Sequence, residues 1–231
     1  MGWKTSMIIV NSENEFNTNE LFESLGYYEL KTIDKQYFES IMNPDDDKIY
    51  IGEYNGNTII CMQDLPLESL DNTVSRAEKI LSTIFPNTDI ITFALHSVVN
   101  LWGYSIVNNG KKLRVRAGSA EGGTIVEFGE VMEEEKELFS KSKLNSDGER
   151  VFVFDNMPDD EFQDDQVGEN FIFEISRKYL GENLDACDEL LFETQFNGYT
   201  FSKSKPKKKI ENQVQKTQRK IIHKKPWWKF W

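Results

Sequence analysis

Cysteine, histidine and long apolar runs are scarce in this sequence. It contains two cysteines, Cys61 and Cys187, and two histidines among its 231 residues. Two isolated thiols build neither a disulfide framework nor a four-ligand zinc site, and they fit a reducing compartment. No run of about 18 apolar residues is present, as a membrane-spanning helix requires, and the opening residues lack the segments of a secretory signal. The sequence therefore predicts a soluble, intracellular protein.

Motifs that carry catalysis or bind a cofactor are missing as well. The glycine-rich stretch 118–123 is not followed by the Lys-Ser/Thr pair of a nucleotide-binding loop. His96 and Ser97 are neighbours on a predicted strand, so their side chains point to opposite faces and cannot form a base–nucleophile pair. The acidic runs of the chain lack the alternating spacing of a calcium loop. We therefore predict no catalytic residue, no metal and no cofactor.

What the sequence does have is a sharp division of charge. Residues 203–231 hold eleven basic residues and one acidic residue, a net charge of +10, although the whole chain carries −12. Residues 1–202 hold 16 basic and 38 acidic residues, a net charge of −22. We therefore predict an acidic globular domain over 1–202, the body, and a basic, tryptophan-rich tail over 203–231. Such a body repels nucleic acid and anionic membranes, whereas the tail attracts anionic surfaces.

The body is predicted to be an α+β domain, with a mainly antiparallel sheet built from hairpins, covered by helices, and with a flexible C-terminal tail. The dipeptides at 55–56, 109–110 and 197–198 are all Asn-Gly, which is the strongest short hairpin signal. Helical spacing and capping residues predict helices at 17–26, 34–43, 71–85 and 130–139 and within 160–180. Apolar segments predict strands at 6–10, 49–54, 58–63, 90–98, 101–107, 112–117, 124–128, 150–154, 190–196 and 199–202.

The hairpin 101–117 offers a candidate anion-binding site. With a two-residue turn at its tip, strand alternation places Arg114 and Arg116 on a polar face, opposite the apolar face that carries Tyr104. Two guanidinium groups could bind a phosphate or a carboxylate bidentately. That arrangement would suit a sensor of a small anionic ligand, or an enzyme. The alternative is that both arginines pair with Glu127 on the next strand.

The tail carries the strongest functional signal. Four of the last five positions are aromatic, and exposed rings in such number need a surface to bury against. Trp rings with interleaved lysines suit an anionic membrane surface or a pocket on a partner protein, and a third alternative is docking on the acidic stretch 155–169 of the same chain. Nucleic acid is disfavoured because the rings are bunched. The predicted anchors are Trp227, Trp228, Phe230 and Trp231. The predicted electrostatic contacts are Lys207, Lys208, Lys209, Lys224, Lys225 and Lys229.

Several pieces of the body resemble an uncharacterised family of bacterial cytoplasmic proteins. They are the opening Met1-Gly2-Trp3-Lys4-Thr5, the Trp102-Gly103-Tyr104 and Asn109-Gly110 segments, Arg114, and Phe128-Gly129-Glu130. The resemblance covers about residues 1–201. It implies a bacterial origin and a cytoplasmic location, and it assigns no activity.

These observations predict a non-enzymatic interaction protein. Its basic aromatic tail would dock the acidic body on a partner protein or on a membrane surface, which places the chain in the cytoplasm or at the inner face of the membrane. The alternative from another class is the anionic-ligand sensor or enzyme that uses the face of Arg114 and Arg116.

Overall fold

The computed structural model describes residues 2–204. A nine-stranded antiparallel sheet has the order β2-β12-β3-β4-β1-β5-β6-β7-β8, and a small sheet has the order β11-β10-β9. The strands are β1 (Lys4–Val10), β2 (Tyr28–Tyr37), β3 (Lys48–Tyr54), β4 (Asn57–Cys61), β5 (Asp89–His96), β6 (Leu101–Asn108), β7 (Lys111–Ser119), β8 (Gly123–Gly129), β9 (Ser142–Leu144), β10 (Arg150–Phe154), β11 (Met157–Gln163) and β12 (Gln195–Ser202). The helices are α1 (Thr18–Leu25), α2 (Phe38–Ile41), α3 (Asp64–Glu68), α4 (Arg76–Ile84), α5 (Lys136–Ser140) and α6 (Asp164–Leu180), with short 3₁₀ turns and one π-helical turn, Glu189–Glu193.

The large sheet is buried on both faces, which explains the continuous apolar sequence of its central strand β1. Met7 and Ile9 of β1 pack into the core beneath α6, whereas Ile8 and Val10 pack into the core beneath α1 and α4. A strand buried on both faces needs apolar residues at every position instead of alternate ones. The predicted α+β class, an antiparallel sheet covered by helices, is confirmed.

Local signals set several boundaries as predicted. The side chain of Asn17 accepts hydrogen bonds from the first turn of α1, and Gly26 ends that helix in the left-handed conformation, with φ of 103°. Asn55 and Gly56 have φ of 46° and 72° and join β3 to β4. Two positive φ values in succession define the tight turn that the right-handed twist of a hairpin favours.

The last predicted hairpin is wrong. Asn197 and Gly198 lie inside the single strand β12, between β2 and β3, and residues 189–193 form the π-helical turn. A Cβ on Gly198 would lie 2.6 Å from the Tyr50 ring and 2.7 Å from Ile33. The glycine therefore allows close packing, not a turn.

Three predicted helices begin later than the sequence indicated, and the one predicted at 130–139 begins with the 3₁₀ turn Glu133–Glu135. Residues 34–37 belong to β2, so α2 begins only at Phe38. The helix predicted from residue 71 begins at Arg76, where Ser75 and Glu78 form a reciprocal capping box. That box satisfies two amide groups of the first turn and fixes where the helix begins. Within residues 2–204, no helix is both long enough and apolar enough to cross a membrane.

Candidate functional site

Arg114 and Arg116 lie on β7, but on the opposite face from the predicted one. They pair with Ile106 and Tyr104 of β6, and all four side chains point toward α6. The register shifts between Ile106 and Val107, so that Leu113 is an extra residue on β7. A bulge of this kind inverts the alternation of every residue beyond it, and the prediction had assumed a regular ladder.

Arg114 is buried and its charge is compensated by Glu135. Its Nε donates to both carboxylate oxygens of Glu135, at 3.1 and 3.0 Å, and its Nη2 donates to Oε1 at 2.8 Å. The hydroxyl of Tyr104 and the backbone N–H of Met132 also donate to this carboxylate. Nη2 reaches Glu127 at 3.2 Å as well. Charge-assisted contacts of this number are what a fully buried ion pair needs to be tolerated.

Arg116 lies among aromatic rings and a second carboxylate. Its guanidinium carbon is 4.8 Å from the Trp102 ring centroid and 4.6 Å from that of Phe171, within cation–π range. Its Nη2 donates to Asp164, the first residue of α6, and its Nε lies 3.6 Å from Glu127 Oε2. This contact places the start of α6 against the sheet.

The pairing with Glu127 that the sequence offered as an alternative is therefore present, and Glu135 and Asp164 add to it. Burial would raise the pKa of Glu127, but Arg116, Arg114 and Arg150 hold it below its ordinary value. Burial would lower the pKa of Arg114, but the hydrogen bonds and charge of Glu135 raise it. Each charge stabilises the ionised state of the other.

A second ion pair lies on the other face of the same hairpin. Nζ of Lys112 donates to Glu78 at 2.7 and 2.9 Å, to the Ser69 carbonyl at 2.9 Å and to the Ser105 hydroxyl at 2.7 Å. Burial lowers the pKa of Lys112, and Glu78 acts in the opposite direction. All three donors of the ammonium are thereby used, and the pair ties α4 to the sheet.

These cations face inward instead of toward a ligand. Arg114 is 1% exposed and Arg116 is fully buried. An external anion at this pair stays a prediction, and it would have to displace Glu135 or Asp164 from their arginines. Among residues 2–204, no group of three or more His, Cys, Asp or Glu residues is placed to hold a metal ion.

A different site, which the sequence did not indicate, is a surface cleft of about 460 Å³. We call it the Trp3 cleft, because Trp3 lines it together with Met42, Leu191 and the half-exposed ring of Phe192. The backbone N–H of Trp3 donates to the Ser97 hydroxyl at 2.8 Å, and the indole ring packs edge-on against Phe173 of α6. The volume lies within the range of ligand-binding pockets.

The rim of the Trp3 cleft is acidic. Glu39, Asp185 and Asp188 line it and are exposed, and one cation, Lys4, also lines it. An apolar floor with a net negative rim is complementary to a basic segment that carries large apolar side chains. The cleft is assembled from residues 2–4, 39–43 and 185–192, so no single stretch of sequence could have indicated it.

The predicted tail anchors, Trp227, Trp228, Phe230 and Trp231, lie outside the described residues, and so do the six predicted tail lysines. The last described residue is Ser204, and the preceding Lys203 forms an ion pair with Asp64 on α3.

Comparisons with known proteins place the chain in a family without assigning it an activity. No curated protein and no solved structure matches it. The model of a family of unknown function, DUF6928, matches residues 14–150. This range covers strands β2 to β9 and the Glu78 and Glu135 ion pairs, and it begins after β1 and after the Met1–Thr5 segment on which the resemblance partly rested. Bacterial origin therefore stays a prediction, whereas the chain itself belongs to this uncharacterised family.

Proposed function

We propose that this protein is a non-enzymatic interaction protein whose tail docks it on a partner protein. The observation that carries the proposal is the charge division, +10 over residues 203–231 against −22 over residues 1–202. Lysines steer the tail to an acidic surface, and the terminal aromatics bury there.

The organisation of the body supports this role. Residues 2–204 fill two apolar cores, one on each face of the large sheet. The buried cations Arg114, Arg116 and Lys112 form ion pairs with carboxylates of the same domain. They act on the stability of the fold, which leaves recognition to surfaces and to the tail.

A protein partner is favoured by the bunching of the rings. Tryptophan is enriched among interface residues whose truncation costs about 2 kcal/mol or more. Four rings in five positions make one compact anchor, whereas helices that bind in the plane of a membrane spread an apolar face over several turns. An anionic membrane is the second candidate, because each lysine near such a surface contributes about 1 kcal/mol.

The experiment compares three full-length proteins as baits in native, nuclease-treated lysate. The test variant replaces Trp227, Trp228, Phe230 and Trp231 by alanine. The matched control replaces three exposed apolar residues of the body, Val98, Ile125 and Leu144, by serine. We expect wild type and control to retain the same protein, and the tail variant to lose it.

Binding of the purified partner and of vesicles then separates the two candidates. A protein partner predicts direct binding by wild type that weakens at least about tenfold in the tail variant, since one hot-spot side chain alone is worth that much. Retention on phosphatidylglycerol vesicles, without a protein partner, would support the membrane instead. Equal capture by all three baits would refute a docking role for the tail.

A further inference from the structure

We propose that the tail docks on its own body, with its terminal aromatics in the Trp3 cleft and its lysines along the loop Asp45–Asp47. The inference rests on the proposed function, because it assigns a resting site to the segment that binds the partner. It also assigns a ligand to the Trp3 cleft, namely a basic segment rich in tryptophan.

The exit point of the tail lies next to the cleft. Lys203 pairs with Asp64, and the adjacent Gln63 donates to the Asn43 side chain at 3.1 Å and to the Pro44 carbonyl at 2.7 Å. Asn43 itself lines the Trp3 cleft. A short path of contacting residues therefore connects the start of the tail with the rim of the cleft.

An acidic surface borders that path. Asp45, Asp46 and Asp47 are exposed and follow directly on Asn43 and Pro44. Among residues 2–204, the ion pairs of this loop involve Asp45, which binds Lys48 at 2.7 Å, but not Asp46 or Asp47. A chain that runs from Lys203 toward the Trp3 cleft therefore passes Asp64, Asp46 and Asp47 before it reaches the three acids of the cleft rim. The lysine-rich start of the tail, 205–209, would meet them first.

The cleft provides an apolar surface against which the aromatic rings of the tail can be buried. Met42 and Leu191 are 8% and 4% exposed and form an apolar floor, and Phe192 is 57% exposed at the margin. A ring inserted there would cover Phe192 and bury its own apolar area, while Glu39, Asp185 and Asp188 would face lysines next to the rings. Burial of an aromatic ring removes about 150–250 Å² from water.

Chain length permits this docking on the same molecule. Residues 205–231 make 27 residues, which span up to about 90 Å when extended, whereas a domain of 200 residues has a radius of gyration of about 17 Å. Tethering raises the effective concentration of the tail at the cleft to the millimolar range. This favours the cleft of the same molecule over that of a second copy.

The stretch 155–169 is the weaker acceptor, because most of its acids already have partners. Asp164 binds Arg116, Asp165 accepts from Asn100 at 3.0 Å, Glu161 binds Lys143 at 2.9 Å, and Glu169 accepts from Ser97 at 3.0 Å. Docking there would compete with contacts that hold the start of α6.

The consequence is competition between the cleft and the partner. A tail bound to its own body is not available to the partner, so the apparent affinity for the partner equals the intrinsic affinity multiplied by the fraction of tail that is free. The Trp3 cleft thus sets how readily the chain binds its partner.

The test is zero-length carbodiimide cross-linking of the full chain, which joins lysines to carboxylates in direct contact. We expect cross-links from Lys224, Lys225 or Lys229 to Glu39, Asp185 or Asp188. Mixing ¹⁴N- and ¹⁵N-labelled protein should give links within one isotope only. Links between isotopes, links to 155–169, or no tail links would each overturn the proposal.

A pair of charge-reversal variants provides the matched control. D185K/D188K changes two exposed residues of the cleft, and D159K/D160K makes the same charge change at two exposed residues of 155–169. Cross-links from the tail to Glu39 should fall at least about tenfold in the first variant, since like charges in apposition cost more than a surface pair gains, and stay unchanged in the second. Equal cross-linking in both would overturn the proposal.

Partner capture separates this inference from the function on which it rests. D185K/D188K should capture more partner than D159K/D160K, because its tail is released. Capture that depends on the tail but is equal in both variants refutes the cleft and keeps the function. Cleft cross-links without any captured partner or vesicle refute the function and keep the cleft.

Discussion

Replacing Glu135 by glutamine tests the buried ion network most directly. Glu135 is fully buried and accepts from Arg114, from the Tyr104 hydroxyl and from the backbone of Met132. Glutamine keeps the size of the side chain but removes its charge. It also turns an amide N–H₂ toward groups that are themselves donors.

The expected cost follows from the geometry. Removing one partner of a buried ion pair costs about 3–5 kcal/mol, because the other charge is left uncompensated. Glu127 remains 3.2 Å from Arg114 Nη2, so we expect the lower end, about 3 kcal/mol. In a domain of this size that loss corresponds to a decrease of about 6–12 °C in Tm.

Urea unfolding of the full chain, followed by circular dichroism and by fluorescence, measures this loss if both signals coincide. E137Q is the matched control, because Glu137 is 73% exposed in its pair with Lys141, and we expect a change below about 0.5 kcal/mol. The double variant R114M/E135M should lose less free energy of unfolding than the sum of the losses in R114M and in E135M. A loss in E135Q as small as that of the control would refute the compensation argument.

Three further predictions concern packing, pH and the second ion pair. Gly168→Ala should lower the free energy of unfolding by about 2 kcal/mol, because the added Cβ would lie 2.1 Å from the Trp102 ring. Alanine usually stabilises a helix relative to glycine, so a raised thermal midpoint would contradict this prediction. Burial raises the pKa of Glu127, but its arginines hold that pKa below its ordinary value. The stabilisation by Glu127 is therefore complete above the unfolded-state pKa and is lost as the pH falls through the folded-state pKa. Glu127→Gln should therefore flatten the acid limb of stability against pH, and an unchanged slope would refute the assignment. Lys112→Met should cost about 3 kcal/mol because it leaves Glu78 buried without its cation, and an unchanged urea midpoint would contradict that role.

Much of the fold could be predicted because its signals are local. The cap at Asn17, the left-handed Gly26 and the Asn55-Gly56 turn depend on a few adjacent residues, and all three are present. The antiparallel class followed from strands that arrive as hairpins.

The misses depend on contacts that are distant in sequence. Gly198 packs against Tyr50 and Ile33 from other strands. In the sequence, an Asn-Gly pair that serves packing looks the same as an Asn-Gly pair that forms a turn. The shift at Leu113 depends on the pairing of β6 with β7, and it reversed the face predicted for Arg114 and Arg116.

The candidate sites, too, could be predicted where they depend on neighbouring strands or on composition, and were missed where they depend on contacts distant in sequence. Glu127 could be named as a partner of the arginines because it lies on the next strand, whereas Glu135 and Asp164 are brought there by a 3₁₀ turn and by α6. The Trp3 cleft joins three distant segments. The charge division of the tail is a property of composition, so it needed no structure.

The central claim, that the tail is the docking element and the Trp3 cleft its resting site, is tested most directly by capture with three full-length baits: wild type, the four-alanine tail variant and D185K/D188K. The account predicts a ranking in which D185K/D188K retains the most partner, wild type less and the tail variant least. Equal retention by all three would contradict it.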